Sequence, residues 1–223
     1  MDRKTVALVQ EKLKDERGKK VIFLSHCLLN QNVRYLGGAF RRGCVEEVVE
    51  AFIQNGAGLC QLRCPEQQAW GGVLKSFILN IYGSKGTLLY RLRRFWRPLF
   101  IGYTKWIYRR LANEAVKEIE DYLASGFTVI GVVGIGGSPS CGVETTLDIR
   151  KSLDVLAGCP LSALSRWVVN EEAVAGSLSK GPGLFMTAIR RRLARKGLDV
   201  KFYEHDLIAE MKDRPLLPLE VSP

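Results

Sequence analysis

The sequence predicts an α/β fold with a mostly parallel sheet and helices on both of its faces. Short apolar runs with the character of buried strands alternate with longer stretches that repeat apolar residues at the 3.6-residue period of a helix. Glycine stands between a helical stretch and the next strand at three positions, where a left-handed residue ends a helix most easily: Gly56, Gly126 and Gly197. Such alternation is typical of parallel strands joined by right-handed crossover helices.

The first part of the chain contains two helix–strand pairs. The segment T5VALVQEKL13 has helical spacing of its apolar residues, and the aliphatic run V21IFL24 predicts the strand that follows it. The segment V45EEVVEAFI53 predicts the next helix, and G58LCQL62 predicts the second strand. Both strands are short and apolar, which favours burial in a sheet that is covered on both sides.

The second part of the chain repeats this alternation. The segment E114AVKEIEDYLA124 predicts a helix, and F127TVIGVV133 predicts the strand after it. The segment L184FMTAIRRRLA194 predicts the last helix, and D199VKFY203 predicts the last strand. Four strands that alternate with helices are enough for one sheet.

Residues 75–112 break this alternation, and we expect a basic, aromatic-rich helical insertion in a single domain that spans residues 1–223. No acidic residue occurs from Gln67 to Asn113, whereas nine Lys and Arg residues do, so this stretch supplies nearly all of the formal net charge of +10. Aromatic residues lie among these cations. The pattern suits an RNA-binding surface, a surface for an anionic membrane, or an amphipathic helix that packs its rings on the domain or on a second subunit.

The N-terminal sequence and the hydropathy bear on where the protein is found. Residues 1–20 are charged and mildly amphipathic, and they have no apolar core of the kind that a secretory signal needs. Arg97 and Lys105 interrupt the most apolar part of the middle segment, so no run approaches the roughly 18 apolar residues of a spanning helix. We expect a cytoplasmic protein, with peripheral attachment to a membrane as the alternative if the basic segment binds lipid.

Three of the six cysteines follow shortly after predicted strands: Cys27, Cys64 and Cys141. Ligands gather in the crevice beyond the carboxyl ends of parallel strands, so we expect these thiols to converge on one centre. Three thiols without an obvious fourth ligand favour a metal or cluster with one open coordination position, since a structural metal site is normally closed by four ligands. The remaining cysteines are expected to be packed or incidental thiols: Cys44, Cys60 and Cys159.

The segments around these cysteines resemble the thiouracil desulfidase family. Three motifs occur in the family's order: S25HCLLNQNVRYLGG38, C64PE66 followed by Gly71-Gly72, and S138PSCG142. The resemblance covers the predicted core to about residue 150. It implies a [4Fe–4S] cluster held by Cys27, Cys64 and Cys141, with a fourth iron free to bind the sulfur of a thiocarbonyl substrate such as a thiolated nucleobase.

Three departures from the family pattern lie outside the cysteines. Asn30 stands where the family usually has Gly, and Leu36 replaces the usual Asp. Two extra residues separate C64PE66 from Gly71-Gly72. These changes keep the cysteines intact, but they lie near an expected substrate-contacting loop and leave the specific substrate open.

The residues beside the cysteines indicate how a thiocarbonyl would be hydrolysed. Glu66 follows Cys64 by two residues and is the predicted general base for the attacking water. Ser138 is the second predicted catalytic residue, because its hydroxyl can orient water or a ring nitrogen; capping of the turn at Pro139 is the alternative. Weaker predicted substrate contacts are Ser25, Arg34 and Ser140.

Two other functions would use the same residues. A zinc-binding module that interacts with nucleic acid would use the three cysteines with His26 as fourth ligand, and the basic segment would be its working surface. A cysteine-nucleophile transferase would need a histidine as its base, and the chain has only His26 and His205. We expect His26 to be packed and hydrogen-bonded and His205 to lie at the surface. The run G134IGG137 lacks the rest of a dinucleotide fingerprint, so no nicotinamide site is predicted.

Overall fold

The computed structural model describes residues 3–13 and 15–214. Its strands are β1 (Lys20–Ser25), β2 (Gly58–Leu62), β3 (Thr128–Ile135), β4 (Thr145–Leu147), β5 (Leu178–Lys180) and β6 (Phe202–His205). Four of them form a parallel sheet in the order β2-β1-β3-β6. Strands β4 and β5 pair antiparallel in a separate two-stranded ribbon.

The helices surround this sheet. They are α1 (Arg3–Lys12), α2 (His26–Leu29), α3 (Glu46–Ile53), α4 (Pro65–Ala69), α5 (Ser76–Leu79), α6 (Leu88–Arg91), α7 (Arg93–Ala124), α8 (Ile149–Gly158), α9 (Leu184–Arg195) and α10 (Leu207–Met211). A π-helical segment covers Val168–Val174, and short 3-10 turns cover Gln31–Val33, Leu161–Ala163 and Ala175–Ser177. Among the described helices, none is both long and apolar enough to cross a membrane.

Side chains of the central strand β1 alternate between two hydrophobic cores. Val21 and Phe23 belong to the core that contains buried residues of α7, α8 and α9. Ile22 and Leu24 belong to the opposite core, with buried residues of α3 and α10. Because successive side chains of a strand point to opposite faces, the sheet is covered on both sides. The predicted α/β fold, with a mostly parallel sheet flanked by helices, is confirmed.

The strand ends follow the pairing between neighbours. Strand β3 continues to Ile135, two residues beyond the predicted end, because Gly134 and Ile135 still pair with β6. Strand β6 begins at Phe202 rather than at residue 199, since its pairing with β3 starts there. The three predicted helix-ending glycines have positive φ, between 66° and 78°, so each adopts the left-handed conformation that only glycine takes without strain.

Helix α7 is the largest difference from the predicted elements. The sequence predicts a helical insertion over residues 75–112 and a separate helix over 114–124, whereas one helix is continuous for 32 residues from Arg93 to Ala124. Its buried residues keep three- and four-residue spacing across the expected end of the insertion at residue 112: Thr104, Tyr108, Leu111, Ala112, Ala115, Val116 and Ile119. The basic segment therefore runs without a break into a helix that packs on the sheet.

A buried charged network connects the loop after β1 with the last described helix. The side chain of Glu210 is fully buried and accepts a hydrogen bond from Arg34 Nη2 at 2.8 Å. His205 Nε2 lies 2.9 Å from the same carboxylate, and the side-chain amide of Gln31 donates to its other oxygen. His205 is only 3% exposed, so the predicted surface position is wrong. This histidine ends β6, where α10 packs back over the sheet edge and supplies its partner.

The network fixes the charge of Glu210. Burial by itself raises the pKa of this carboxyl, but hydrogen bonds from His205 and Arg34 and the charge of Arg34 lower it to about 2. The folded-state value lies below the ordinary 4.5. The network therefore stabilises the fold at pH values above about 4.5, and this stabilisation is lost as the pH falls towards about 2.

Glu210→Gln should lower the free energy of unfolding at neutral pH by roughly 3–5 kcal/mol, because it leaves the Arg34 charge buried without its partner. The difference from the unchanged protein should shrink as the pH falls from about 4.5 towards 2. Chemical denaturation followed by circular dichroism at a series of pH values measures both effects. The exposed Glu11→Gln is the control and should change stability by less than about 0.5 kcal/mol. A similarly small effect at Glu210 would contradict this account of the network.

A candidate cysteine-lined active site

The carboxyl ends of the neighbouring strands β2, β1 and β3 open into one cavity that is lined by Cys27, Cys64 and Cys141. The cavity has a volume of about 100 Å³. By the same measure one water molecule needs roughly 10–15 Å³, so the cavity has room for several. Apolar side chains of α4, α5 and the turn after it form part of its wall: Trp70, Ile78 and Tyr82. Parallel pairing of the strands thus brings together three cysteines that are distant in sequence.

Two of the cysteines are held by helices that begin within three residues of the end of a strand. Cys27 lies in the first turn of α2, which starts at the residue after β1 ends. Cys64 precedes Pro65, the first residue of α4, and its Sγ accepts a hydrogen bond from the Gln67 backbone N–H at 3.4 Å. Proline suits the first position of a helix because its missing N–H needs no partner there. The C64PE66 motif therefore caps a helix and turns Cys64 towards the cavity.

Cys141 lies in a tight loop formed by residues 138–142. The Ser138 hydroxyl accepts hydrogen bonds from the backbone N–H groups of Ser140 and Cys141, at 3.3 and 3.0 Å. The Cys141 carbonyl accepts the Ile135 N–H at 2.9 Å and passes so close to Gly134 that an added Cβ would lie 2.1 Å from it. Glycine is required at position 134 because any side chain would displace the loop.

Helix α9 and strand β6 anchor this loop. The Ser140 carbonyl accepts the backbone N–H groups of Phe185 and Met186, in the first turn of α9, at 3.1 and 3.2 Å. The Glu204 carboxylate on β6 accepts three backbone N–H groups of residues 143–145 at 2.7–3.1 Å. The sequence gives no sign of this role for Glu204, because it depends on β6 lying beside β3.

Burial dominates the acid–base properties of the three thiols. Burial raises the pKa of Cys27, raises that of Cys64 to about 12, and raises that of Cys141 well above its ordinary value. The charge of an ionised Cys27 also raises the pKa of both other thiols, which places the three within electrostatic reach of one another. Free thiols with such values stay protonated at neutral pH, whereas a thiol that binds a metal loses its proton.

Glu66 and Lys75 form a buried ion pair beside these thiols. Lys75 Nζ lies 2.9 Å from Glu66 Oε2, and the lysine side chain is only 4% exposed. Burial by itself lowers the pKa of Lys75, but the charge of Glu66 and the hydrogen bond to it raise the pKa above its ordinary value, so the ammonium group stays charged. Lys75 also adopts a left-handed backbone conformation with φ 52°, which turns the start of the basic segment back over the site.

The structure separates the roles of the two predicted serines. Ser140 Oγ donates to Glu66 Oε1 at 2.8 Å, and it lies 3.5 Å from Cys141 Sγ. Ser138 Oγ is 3.5 Å from the same carboxylate oxygen, while it accepts the two N–H groups of its own loop. Ser138 therefore caps the turn, which is the alternative that its position beside Pro139 left open, and Ser140 makes the closer contact with Glu66.

The weaker predicted contacts differ in their access to the cavity. Arg34 lines it, but one end of its guanidinium group is held by Glu210. Ser25 is fully buried, and its hydroxyl donates to the Val133 carbonyl at 3.0 Å, between adjacent strands. Arg34 and Ser25 thus support the walls of the site, and their contact with substrate stays a prediction.

The remaining cysteines do not line the cavity, as expected for packed or incidental thiols: Cys44, Cys60 and Cys159. His26 does line it, and burial lowers the pKa of its imidazole. The sequence pattern did not single out Lys75 among the cations of the basic segment, and its Nζ lies 6.0 Å from the centroid of the Tyr35 ring. The buried Lys75 has no signature that distinguishes it from the exposed cations that follow.

Within the described residues, no three His, Cys, Asp or Glu side chains are arranged as ligands of a single metal ion. The three cysteines instead surround a cavity. A cluster of four irons is wider than one ion, so its ligands are expected to surround it rather than to meet at one point. Thiolates are also the ligands that iron–sulfur clusters use. Three thiols around one cavity are thus a donor set of the kind that an iron–sulfur cluster uses.

The chain is similar to a protein of Methanocaldococcus jannaschii that is described as uncharacterized. The two sequences are 27% identical over 127 residues, which is 57% of this chain and 70% of the archaeal protein. No protein-family model matches the chain, and no solved structure matches it.

Lys75→Gln should lower the free energy of unfolding by roughly 3–5 kcal/mol, because it leaves the Glu66 carboxylate buried without a cation. The double variant Glu66→Gln/Lys75→Gln should recover much of that loss, since it buries two neutral amides instead of one unpaired charge. Chemical denaturation of the single and double variants measures the coupling between the two side chains.

Lys85 provides the matched control for the ion pair, because it is an exposed lysine of the same basic segment. Lys85→Gln removes the same charge and should change stability by less than about 0.5 kcal/mol. If the losses of Glu66→Gln and Lys75→Gln simply add in the double variant, the two side chains do not interact as described.

Proposed function

We propose that this protein is a [4Fe–4S]-dependent desulfidase, which replaces the sulfur of a thiocarbonyl compound, such as a thiolated nucleobase, by the oxygen of water. The observation that carries the proposal is one cavity at the carboxyl edge of the sheet, lined by three cysteines together with Glu66 and Ser140. The motifs that contain these residues are those that resemble the thiouracil desulfidase family. The identity of the substrate within the thiocarbonyl class stays open.

Cys27, Cys64 and Cys141 would hold the cluster. Each comes from the end of a different strand, so folding is needed to assemble the ligand set. The raised pKa values of the thiols mean that three protons must leave when the cluster binds, which makes loading more favourable as the pH rises. When bound, the cluster would supply an iron without a protein ligand, a Lewis acid with affinity for soft sulfur.

Glu66 would accept the proton of the attacking water. In the overall change the carbon–sulfur double bond of the substrate is replaced by a carbon–oxygen double bond, and both protons of water leave with the sulfur as hydrogen sulfide. The reaction needs no external oxidant or reductant. A carboxylate beside the cavity can take one proton from water and return it to the leaving sulfur.

Ser140 and Lys75 would fix the position of this carboxylate. Ser140 donates to one carboxylate oxygen and Lys75 pairs with the other, so each oxygen of Glu66 has a partner. A small movement of the Ser140 hydroxyl would free Oε1 for water. The permanent charge of Lys75 would also favour the negative charge that develops on the substrate when water adds to it.

The apolar wall would suit a flat heterocyclic substrate. Trp70 is 7% exposed, and its indole N–H donates to the Thr104 hydroxyl of α7 at 3.1 Å, which fixes the ring. Trp70 and Tyr82 present aromatic surface to the cavity. Rings of this kind hold planar ligands by stacking and exclude bulk water from the reacting carbon.

Two other functions fit the site less well. A zinc-binding module would use His26 with the cysteines, but the described residues contain no group arranged around a single ion. A cysteine nucleophile would need a lowered pKa, whereas burial raises the pKa of all three thiols. His205, the other histidine, is hydrogen-bonded to the buried carboxylate of Glu210.

Replacement of Cys27, Cys64 or Cys141 by Ser should remove most of the bound iron and the activity, because each supplies one of three cluster ligands. Ser at Cys44, Cys60 or Cys159 provides the matched control, since the same chemical change outside the cavity should leave both intact. Iron and sulfide analysis of anaerobically purified protein, with its visible absorption, measures the outcome. A colourless protein with one equivalent of zinc would refute the cluster, and a full cluster in Cys141→Ser would refute the ligand set.

Glu66→Gln should keep the cluster absorption and lower the turnover of a thiolated nucleobase by roughly 10²–10⁴-fold, the range for loss of a positioned general base. Release of hydrogen sulfide from the cluster-loaded protein measures the rate. Glu144→Gln, at an exposed position after the cysteine loop, controls for loss of negative charge near the site. Near-normal turnover by Glu66→Gln would show that another group activates water.

A further inference from the structure

The outer face of helices α6 and α7 carries large apolar side chains that contact little else. Five of them are between 44% and 75% exposed and define the apolar stripe: Leu88, Leu92, Phe95, Leu99 and Trp106. Residues 92, 95, 99 and 106 are spaced by three, four and seven positions, so they fall within about a 60° arc of the helix. An exposed apolar surface of this kind on a folded protein marks an interaction site.

The stripe is held on a fixed platform. The Trp96 indole N–H donates to the Leu89 carbonyl at 2.8 Å, which ties α7 to α6. Arg97 pairs with Asp154 of α8 at 2.5 Å, and the Phe100 ring contacts Trp70 with 6.1 Å between ring centroids. Because these contacts hold the inner face of α7 against the rest of the protein, the opposite face of the helix points outward.

Five of the nine cations between Gln67 and Asn113 have no carboxylate partner among the described residues: Lys85, Arg91, Arg94, Lys105 and Arg109. The other four are paired, since Lys75 contacts Glu66, Arg93 and Arg97 contact Asp154, and Arg110 contacts Glu114. On an ideal helix, Arg94, Lys105 and Arg109 fall on the same side of the apolar stripe, about 40–100° around the helix from its edge. The free charge of the basic segment is thus concentrated beside its exposed apolar side chains.

A cationic groove extends this set of cations from α7 onto helix α9. It lies between α7 and α9 and contains five cations: Lys105, Arg109, Arg191, Arg192 and Arg195. No acidic side chain lines it in the described part of the chain. Burial and the charges of Arg195 and Arg109 lower the pKa of Arg192, so these like charges repel one another. An apolar stripe and a cationic groove therefore lie side by side.

Three partners could cover such a surface, and the chemistry favours one. A second copy of this chain would place cations against cations, because the segment that carries the stripe has no acidic residue. The phosphates of RNA would pair with the cations of the groove. The exposed leucines would add little to its affinity, because they cannot stack on bases as rings do. An anionic bilayer matches both parts, since apolar side chains enter the acyl region and cations meet the phosphates at its surface.

We propose that the apolar stripe and the cationic groove together dock this protein on the surface of a bilayer that contains anionic phospholipid. Helix α7 lies along the interface with the stripe inserted, and Trp106 lies at the level of the headgroups. No described helix is long and apolar enough to cross the membrane. The docking surface is separate from the cysteine-lined cavity. Membrane binding can therefore be confirmed or refuted independently of the proposed desulfidase activity.

Sedimentation of the full-length protein with vesicles tests the proposal. Binding should be strong to phosphatidylcholine vesicles that contain about 30 mol% phosphatidylserine and weak to pure phosphatidylcholine, and it should weaken as salt rises. Phe95→Ser/Leu99→Ser should weaken binding at least about tenfold, because two inserted side chains are lost. Arg94→Gln/Lys105→Gln/Arg109→Gln should weaken it on the order of 100-fold, at roughly fivefold for each cation.

A matched control distinguishes the effect of cations at the docking surface from the effect of the total charge of the protein. Lys20→Gln/Lys180→Gln/Lys201→Gln removes the same charge from exposed positions outside α7 and the groove and should reduce binding far less. Each variant is compared by thermal unfolding, so that a misfolded protein is not mistaken for one that cannot bind. A blue shift of fluorescence on addition of vesicles, lost in Trp106→Phe, should place Trp106 at the interface.

Three outcomes would overturn the proposal. Equal binding to vesicles by the unchanged protein and Phe95→Ser/Leu99→Ser would show that the stripe does not insert. Tight binding to single-stranded RNA that depends on the groove but not on the stripe, without binding to vesicles, would assign the surface to nucleic acid. Concentration-dependent dimerisation that Phe95→Ser/Leu99→Ser abolishes, again without vesicle binding, would assign the stripe to a second copy of the chain.

Discussion

The buried ion pair between Glu66 and Lys75 is the constraint on which the arrangement around the cavity depends. A carboxylate cannot be buried among apolar walls and neutral thiols unless a cation or hydrogen-bond donors accompany it. Lys75 provides that cation from the first residue of the basic segment, and Ser140 provides a donor from the loop of Cys141. One carboxylate thereby joins the segment after β2 to the loop after β3 and brings both over the cavity.

The same segment then leaves the site and forms a surface. After Lys75 the chain passes through α5 and α6 into α7, whose inner face supplies Thr104 and Tyr108 close to the cavity wall. The outer face of the same helix presents the apolar stripe. One continuous helix thus contributes to the site on one side and to the proposed docking surface on the other.

The parallel sheet and the meeting of its three cysteines were predictable from sequence because they depend on local pattern and on a general property of parallel strands. Apolar runs of strand length, separated by helical periodicity, leave few alternatives to a parallel sheet. Once the strands are parallel and adjacent, residues that follow their carboxyl ends lie close together. This is enough to predict that Cys27, Cys64 and Cys141 lie at one site. Glu66 is predicted to lie there too, because it follows Cys64 by two residues.

The sequence by itself therefore determined the fold class and the group of residues at the cavity. Only the tertiary structure decided which charged and polar groups are paired with one another. Lys75 and Arg94 belong to the same run of cations, yet one is buried against Glu66 and the other is exposed. His205 is buried because α10 folds back to supply Glu210. Local pattern reports which residue types can form a strand or helix, whereas burial and pairing of a charge depend on groups that arrive from distant parts of the chain.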